Sequence, residues 1–366
     1  RWNPKDIAPT PHEMDTLIWC EGGLTITPLE RMPEDLDSPK SAQLRLIGSP
    51  VRLHDAAEDA RATCGLLLFQ SPAGRLELLE TEAHELKIDH PQLVASAERF
   101  WIERGRASRG GFTGAGAMEM ESEARETAAG GPVMPRERLE IAWSDRVDFE
   151  FADDESAGVE AGPFSAIREA VFHGTVVARS DDFRLIETGT AGPRSGQATT
   201  TEATGNVADA GRLRCERLEV RLSSTEGAEG VRVGPRQILA SGDVVADDAR
   251  QMLWADELRV DLRADETGEA SGDQTGAEDE PADDAVERVF ARGGVQLLAS
   301  RGERVFADEL SVDAHARTAE LRGGEVLLVD GPNIIDQVAV ITVDDAAGEY
   351  RLEGPGRFRR FAQPLI

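Results

Sequence analysis

The chain has 366 residues and a formal net charge of -29, from 69 Asp and Glu against 40 Lys and Arg. That balance argues against a nucleic-acid binder, because phosphate backbones are held through clustered Lys and Arg, and it disfavours attachment through anionic headgroups. Aromatic residues are 5%, with Tyr350 the one tyrosine, which argues against a stacking platform for bases or sugars, whereas 36 glycines and 40% apolar residues describe many short elements joined by turns.

In chain order, Trp19–Ile26 (WCEGGLTI) reads as the start of a strand pair, and Gly48-Ser49-Pro50-Val51 as a Gly-x-Val strand, followed by an alternating run carrying Cys64, Leu67 and Phe69. Leu93–Glu103 alternates with Ala97, Phe100 and Ile102 on one face. Arg104–Pro135 is low in hydrophobicity and reads as an interruption, and Arg138–Phe151 alternates like a strand pair. Val171–Ala178 and Leu213–Leu222 are two further strands, separated by a Thr-, Ala- and Gly-rich insertion, Thr188–Gly211. Period-2 alternation bounded by Gly, Asp and Asn marks half-buried strands.

The last third repeats. Ile238–Leu262, Val289–Asp313 and Ala319–Asp344 align so that Gly242, Gly293 and Gly324 share one column, Val244, Val295 and Val326 a second, Leu258, Leu310 and Ile341 a third, and Val260, Val312 and Val343 a fourth. Gly293 and Gly324 stand 31 residues apart and Gly242 and Gly293 stand 51 apart; excising Asp265–Asp284 restores the shorter spacing. That stretch has almost nothing to bury and is expected to be a disordered acidic loop. A unit of two or three such strands cannot bury its own apolar face and must stack on its neighbours, which predicts an elongated all-β body. Residues 1–160 carry the degenerate N-terminal copies and 161–366 the clearer ones, in about six or seven repeats forming one continuous array. The acidic excess falls on outward strand positions and in the inserted loops, where it protects exposed edges from indiscriminate pairing.

Cys20, Cys64 and Cys215 are odd in number and unevenly spaced, so neither a disulfide framework nor a zinc knuckle is encoded; Cys215 falls in the column of Ala255 and Ala307, as a small buried residue would. The densest apolar run, Gly65–Phe69, is far below the roughly 18 residues that span a bilayer. The chain opens at Arg1 without a charged-then-apolar leader, and a processed chain whose targeting signal has been removed is expected.

The succession A-x-G-x-V, A-D-E-L-x-V-D and A-x-L-x-G-x-V resembles the OstA-like (organic solvent tolerance) domain family of periplasmic bridge proteins and outer-membrane translocons in lipopolysaccharide transport. Gly242–Asp261, Gly293–Asp313 and Arg317–Phe358 carry the resemblance, which extends from Val171 to Phe361. It implies an open β-jellyroll of stacked V-shaped antiparallel strand pairs, a periplasmic, outer-membrane-associated location, an interior that accepts lipid acyl chains, and modules joined end to end by strand addition. The chain departs from the family in its length, its acidity and its insertions.

On that reading the groove is lined by Val176, Leu218 and Val220, Val244, Leu258 and Val260, Val295, Leu310 and Val312, and Val326, Ile341 and Val343. Each buried lipid methylene contributes roughly 0.8 kcal/mol, so such a lining could hold an acyl chain without polar recognition. The alternative is a structural or adhesive β-solenoid in which the same columns fill a closed core. Arg357, Arg359 and Arg360, interleaved with Phe358 and Phe361, form the one compact basic cluster with aromatics; lipid headgroups or an acidic partner edge would suit it, as would an ordinary solvated terminal strand.

No enzyme is expected. Asp256-Glu257 and Asp308-Glu309 recur at one point of successive copies, which suggests a turn or outer-face role, and a glycosidase on a β-helix would need carboxylates converging on one cleft. His12, His54, His84, His90, His173 and His315 show no metal-ligand spacing, and the Gly-Gly pairs lack the calcium-binding nonapeptide, so neither metal nor cofactor is implied.

Overall fold

The computed structural model describes residues 16–28, 42–56, 59–71, 74–91, 93–103, 108–121, 138–151, 167–180, 211–227, 230–248, 250–263, 286–299, 302–331, 333–344 and 346–360. Two of the predicted insertions, Thr188–Gly211 short of its final glycine and Asp265–Asp284, lie outside these residues, as does Phe361. The described chain is all-β, and its strands pair antiparallel. Among the described residues no helix is long and apolar enough to cross a membrane.

Contacts divide the chain into two units, Arg1–Phe172 and His173–Ile366. The first holds β1 (Thr16–Cys20), β2 (Gly23–Pro28), β3 (Ala42–Asp55), β4 (Ala60–Ser71), β5 (Arg75–Leu79), β6 (Leu86–His90), β7 (Leu93–Glu103), β8 (Arg109–Glu121), β9 (Arg138–Trp143) and β10 (Arg146–Phe151). The division falls inside β11 (Ile167–Ser180). The second unit continues with β12 (Gly211–Gly227), β13 (Gly230–Asp247), β14 (Gln251–Leu262), β15 (Val286–Ala299), β16 (Arg304–Asp313), β17 (Thr318–Asp330), β18 (Asn333–Asp344), β19 (Glu349–Glu353) and β20 (Arg357–Arg360).

Each long strand is interrupted near its middle. In the second unit the register slips between Ser241 and Val244, between Trp254 and Glu257, between Arg292 and Val295 and between Phe306 and Glu309. Such bulges bend a strand and increase its twist. Gly242 and Gly293 sit at these bends with φ of 79° and 81°, a left-handed backbone that residues with a Cβ avoid. In the first unit the same bend becomes a break: β4 pairs with β5 through one half and with β6 through the other, and β7 takes up both again. Every long strand thus has two arms, the V-shaped pairing of a jellyroll, and the repeated Gly-x-Val columns mark its vertex.

One face of each arm is apolar. In a single-layered sheet the inner face of one arm can be buried only by the inner face of the other, and both sets are buried, Leu258 on one arm and Leu253 on the other among them. Ladder rows show how they fit. Across β12 to β16 one row reads Leu218, Ala240, Leu258, Ala291, Leu310, so large and small side chains alternate from strand to strand. In the first unit, Phe100, Phe112, Trp143, Phe149 and Phe172 form an aromatic core, with ring centroids of neighbouring pairs 5.2–5.7 Å apart.

The stretch Arg104–Pro135, expected to be an interruption, contains β8. Its glycines misled the reading: the position a Gly116 Cβ would take is filled by the Trp143 indole, and that of Gly110 lies against the Phe151 ring. At these two positions the aromatic side chains come from β9 and β10 and β8 supplies the space, while β8 itself contributes Phe112 to the core. Likewise Arg138–Phe151 is two strands, β9 and β10, but both lie along β8 as successive arms.

Candidate functional site

The inward columns form continuous rows across the strands. Val176, Leu218, Val220, Val244, Leu258, Val260, Val295, Leu310, Val312, Val326 and Ile341 are all buried, and Val343 is half-buried. Ladder pairing brings Val260 opposite Ile238 and Val289, and Val312 opposite Val289 and Ala319, so these side chains share one face. In mid-unit the columns are close-packed, with Val260 and Leu258 each 2% exposed.

The rows change character at the chain-terminal strands. The row through Leu310, Leu321 and Ile341 ends on β19 at Leu352, 41% exposed, and the row through Leu328 and Ile335 ends on β20 at Phe358, 59% exposed. In the first unit the row through Phe69 and Leu44 begins on β2 at Ile26, 59% exposed, and its neighbour through Leu67 and Leu46 begins at Leu24. Inner faces are thus open at both terminal strands. Phe358 stands in the predicted basic cluster and Leu24 and Ile26 in the predicted Trp19–Ile26 strand, but their place at the open ends of the rows is not written in local alternation.

The basic cluster is largely committed to an ion pair. Arg357 Nε and Nη2 donate to Asp336 Oδ1 and Oδ2 at 2.8 and 3.0 Å, and Arg359 also pairs with Asp336. The Arg357 guanidinium, with Arg359 beside it, holds the Asp336 carboxyl below the usual carboxylate range. Arg360 stands exposed opposite Asn333. The pair anchors β20 to β18.

The Asp-Glu pairs divide their labour at the bend. Asp308 reaches across to β17, where the Gly324 amide donates to its Oδ2 at 2.9 Å. Asp256 lies against Gly293, and Glu216 against Gly242, so the acidic residue after the small-residue column covers the glycine of the next strand. The following glutamates belong to an outer ladder that runs Glu257, Arg292, Glu309, Arg322 with alternating sign. Arg292 Nε and Nη2 each donate to a Glu257 oxygen at 2.7 Å, which holds that carboxyl below its usual range. Among the described residues no group of three or more His, Cys, Asp or Glu is placed to hold a metal ion.

Cys64 and Cys215 are buried thiols, pushed up to about 11 and about 12 by burial, and all three cysteines are free.

No family model matches the chain, and no curated protein matches it. Among solved structures it is similar to the crystal structure of LptH, the LptA homologous periplasmic component of the conserved lipopolysaccharide transport device from Pseudomonas aeruginosa, at 10% identity and a TM-score of 0.27, over 42% of this chain and 95% of that one.

Proposed function

We propose that the chain is a lipid-handling module of the kind its repeats resemble: a periplasmic, outer-membrane-associated bridge in lipopolysaccharide transport, whose apolar interior receives acyl chains at its ends. The observation that carries this reading is the opening of the interior rows at Leu352 and Phe358 on one terminal pair of strands and at Leu24 and Ile26 on the other. Exposed large side chains at the end of a buried row offer an acyl chain a surface it can cover at roughly 25 cal/mol per Å². The terminal strands pair along one edge, β1 and β2 with β3 and β19 and β20 with β18, which suits end-to-end strand addition by another module. No bond-making chemistry is assigned to the chain.

A second reading rests on the close packing at Val260 and Leu258: a filled scaffold that bears partners on its edges and carries no cargo. Photo-crosslinking residues at Leu352, Phe358 and Val260, with outward Arg259 as control, separate the two. Lipid captured at Leu352 and Phe358 and absent at Arg259 supports the carrier; capture at Val260 extends the path through the body. Equal labelling of both faces, or none, favours the scaffold.

A further inference from the structure

The two arms of the second unit differ on their outer faces. On the arm that carries Glu257 and Arg292 the outer rows are ion ladders, among them Arg259 with Asp261, Arg288 with Asp313 and Glu320 with Arg322. On the other arm the outward positions of β12 to β17 form three rows. The row farthest from the bend runs Arg212, Asp247, Met252, Leu298, Arg304, Val329 from strand to strand, and the middle row runs Arg214, Val245, Trp254, Gln296, Phe306, Leu327. The next outward position on each strand lies at the bend, where Glu216, Asp243, Asp256, Gly294, Asp308 and Glu325 are all exposed. Met252, Leu298 and Phe306 are 36%, 38% and 40% exposed.

This face carries its own complement. Its apolar centre has exposed guanidinium groups, Arg212 and Arg304, on the far side and a row of carboxylates on the bend side. On β12, Arg212 and Glu216 stand two residues to either side of Arg214; on β16, Arg304 and Asp308 stand two residues to either side of Phe306. Carboxylates along the bend repel an anionic surface, and a purely apolar partner would leave both charged rows unmatched.

We propose that two copies of the chain pack through this face, sheet on sheet, about a two-fold axis that runs along the middle row. Each strand then meets its own counterpart, the middle row meets itself, and the far row of one copy meets the bend row of the other. Trp254 and Phe306 face their counterparts on the axis. Arg212 faces Glu216 of the second copy and Arg304 faces Asp308, each contact occurring twice, while Asp247 opposite Asp243 is the one like-charge contact. The other face-to-face two-fold, with its axis along the strands, would bring Asp247 to Arg304 but set Glu216 against Glu325 and Asp243 against Asp308, so the charges select the first. Six strands about 4.8 Å apart and five residues rising about 3.3 Å each give roughly 480 Å² per copy, so two faces fall just short of the ~1,000 Å² at which specific interfaces begin, and the dimer is a weak, reversible one. The inference is independent of whether the interior carries lipid.

Sedimentation equilibrium of the full chain at physiological ionic strength tests it, with circular dichroism to establish that each variant is folded. A monomer–dimer equilibrium is expected. R304E and F306S should each weaken it about tenfold or more, because symmetry counts every altered contact twice, and D247N should tighten it about threefold by removing the like-charge contact. Arg259→Gln on the ladder arm should leave it unchanged. Proximity is read separately: with Cys20 replaced by serine, Q296C on the axis should be joined to its counterpart by a short bismaleimide, and R259C should not. A chain that stays monomeric, dimerisation retained by folded R304E and F306S, or equal crosslinking at Q296C and R259C overturns the proposal. Growth into a series of larger oligomers without crosslinking at Q296C also overturns it, and assigns the association to end-to-end strand addition instead.

Discussion

The Gly324 amide on β17 donates to the Asp308 carboxylate on β16 at 2.9 Å, at the bend where the two strands lose register. A bend leaves backbone amides without ladder partners, and an exposed carboxylate one strand away is an economical acceptor. The same side-chain position is filled by Asp256 over Gly293 and by Glu216 over Gly242, so the acidic column and the glycine column are two halves of one device. This explains why carboxylates recur at one place in every copy without converging on a cleft.

The device predicts coupling. Gly293→Ala should destabilise the chain by at least about 1 kcal/mol, since its φ of 81° is costly for an L residue and the new methyl would overlap the Asp256 side chain. Asp256→Ala removes the overlap with the carboxylate and leaves that with Cβ and the backbone strain, so Gly293→Ala should cost less in that background than alone. Urea denaturation of the four proteins in the double-mutant cycle measures the difference; strict additivity would mean that the contact carries no energy.

The alternating row Leu258, Ala291, Leu310 predicts compensation in the core. Ala291 is fully buried between two leucines one strand away on either side. Ala291→Leu should cost about 1–3 kcal/mol through overpacking, and Leu310→Ala about 2–5 kcal/mol through the cavity it leaves. Combined, the two changes exchange volume along one row and should cost less than their sum. Thermal denaturation followed by circular dichroism checks the order.

Alternation made the arm of Leu258 and Val260, or Leu310 and Val312, legible from sequence, because there apolar and charged residues strictly alternate. On the other arm the runs Met252-Leu253-Trp254, Leu297-Leu298 and Val305-Phe306 are apolar on both faces, so alternation assigns no face to them. Strand β8 was illegible for the opposite reason: Gly110 and Gly116 make room for the Phe151 and Trp143 rings and Gly111 for the Val147 backbone, so most of its contribution to packing is space. The C-terminal arginines were visible as a cluster, but their partner Asp336 lies 21 residues upstream of Arg357 and is brought opposite it only by the pairing of β18 with β20.

Pairing of Asp336 with Arg357 and Arg359 predicts an acid-sensitive terminus. Its folded carboxyl titrates below its unfolded value of about 3.9, so the stabilisation is complete above that value and is lost as pH falls through the lower folded one. Amide exchange in β20 should therefore accelerate in that acid window, and Asp336→Asn should give the fast exchange already at neutral pH. Unchanged exchange in the variant would show that β20 is held by its ladder to β18 alone.

Burial of Cys64 and Cys215 predicts the converse at alkaline pH. Their folded values of about 11 and about 12 lie above the unfolded thiol value of about 8.5, so the neutral thiols favour the fold fully below that pH. As pH rises from about 8.5 the unfolded thiols ionise first, and stability declines until the folded thiols titrate as well. Cys64→Ala with Cys215→Ala should flatten that alkaline decline, at the expense of some packing. In the parent chain at pH 8, a maleimide should label the half-buried Cys20 within the native state and reach Cys64 and Cys215 only on unfolding; rapid native labelling of all three would mean that the bends at which Cys64 and Cys215 sit open far more often than the rest of the strands.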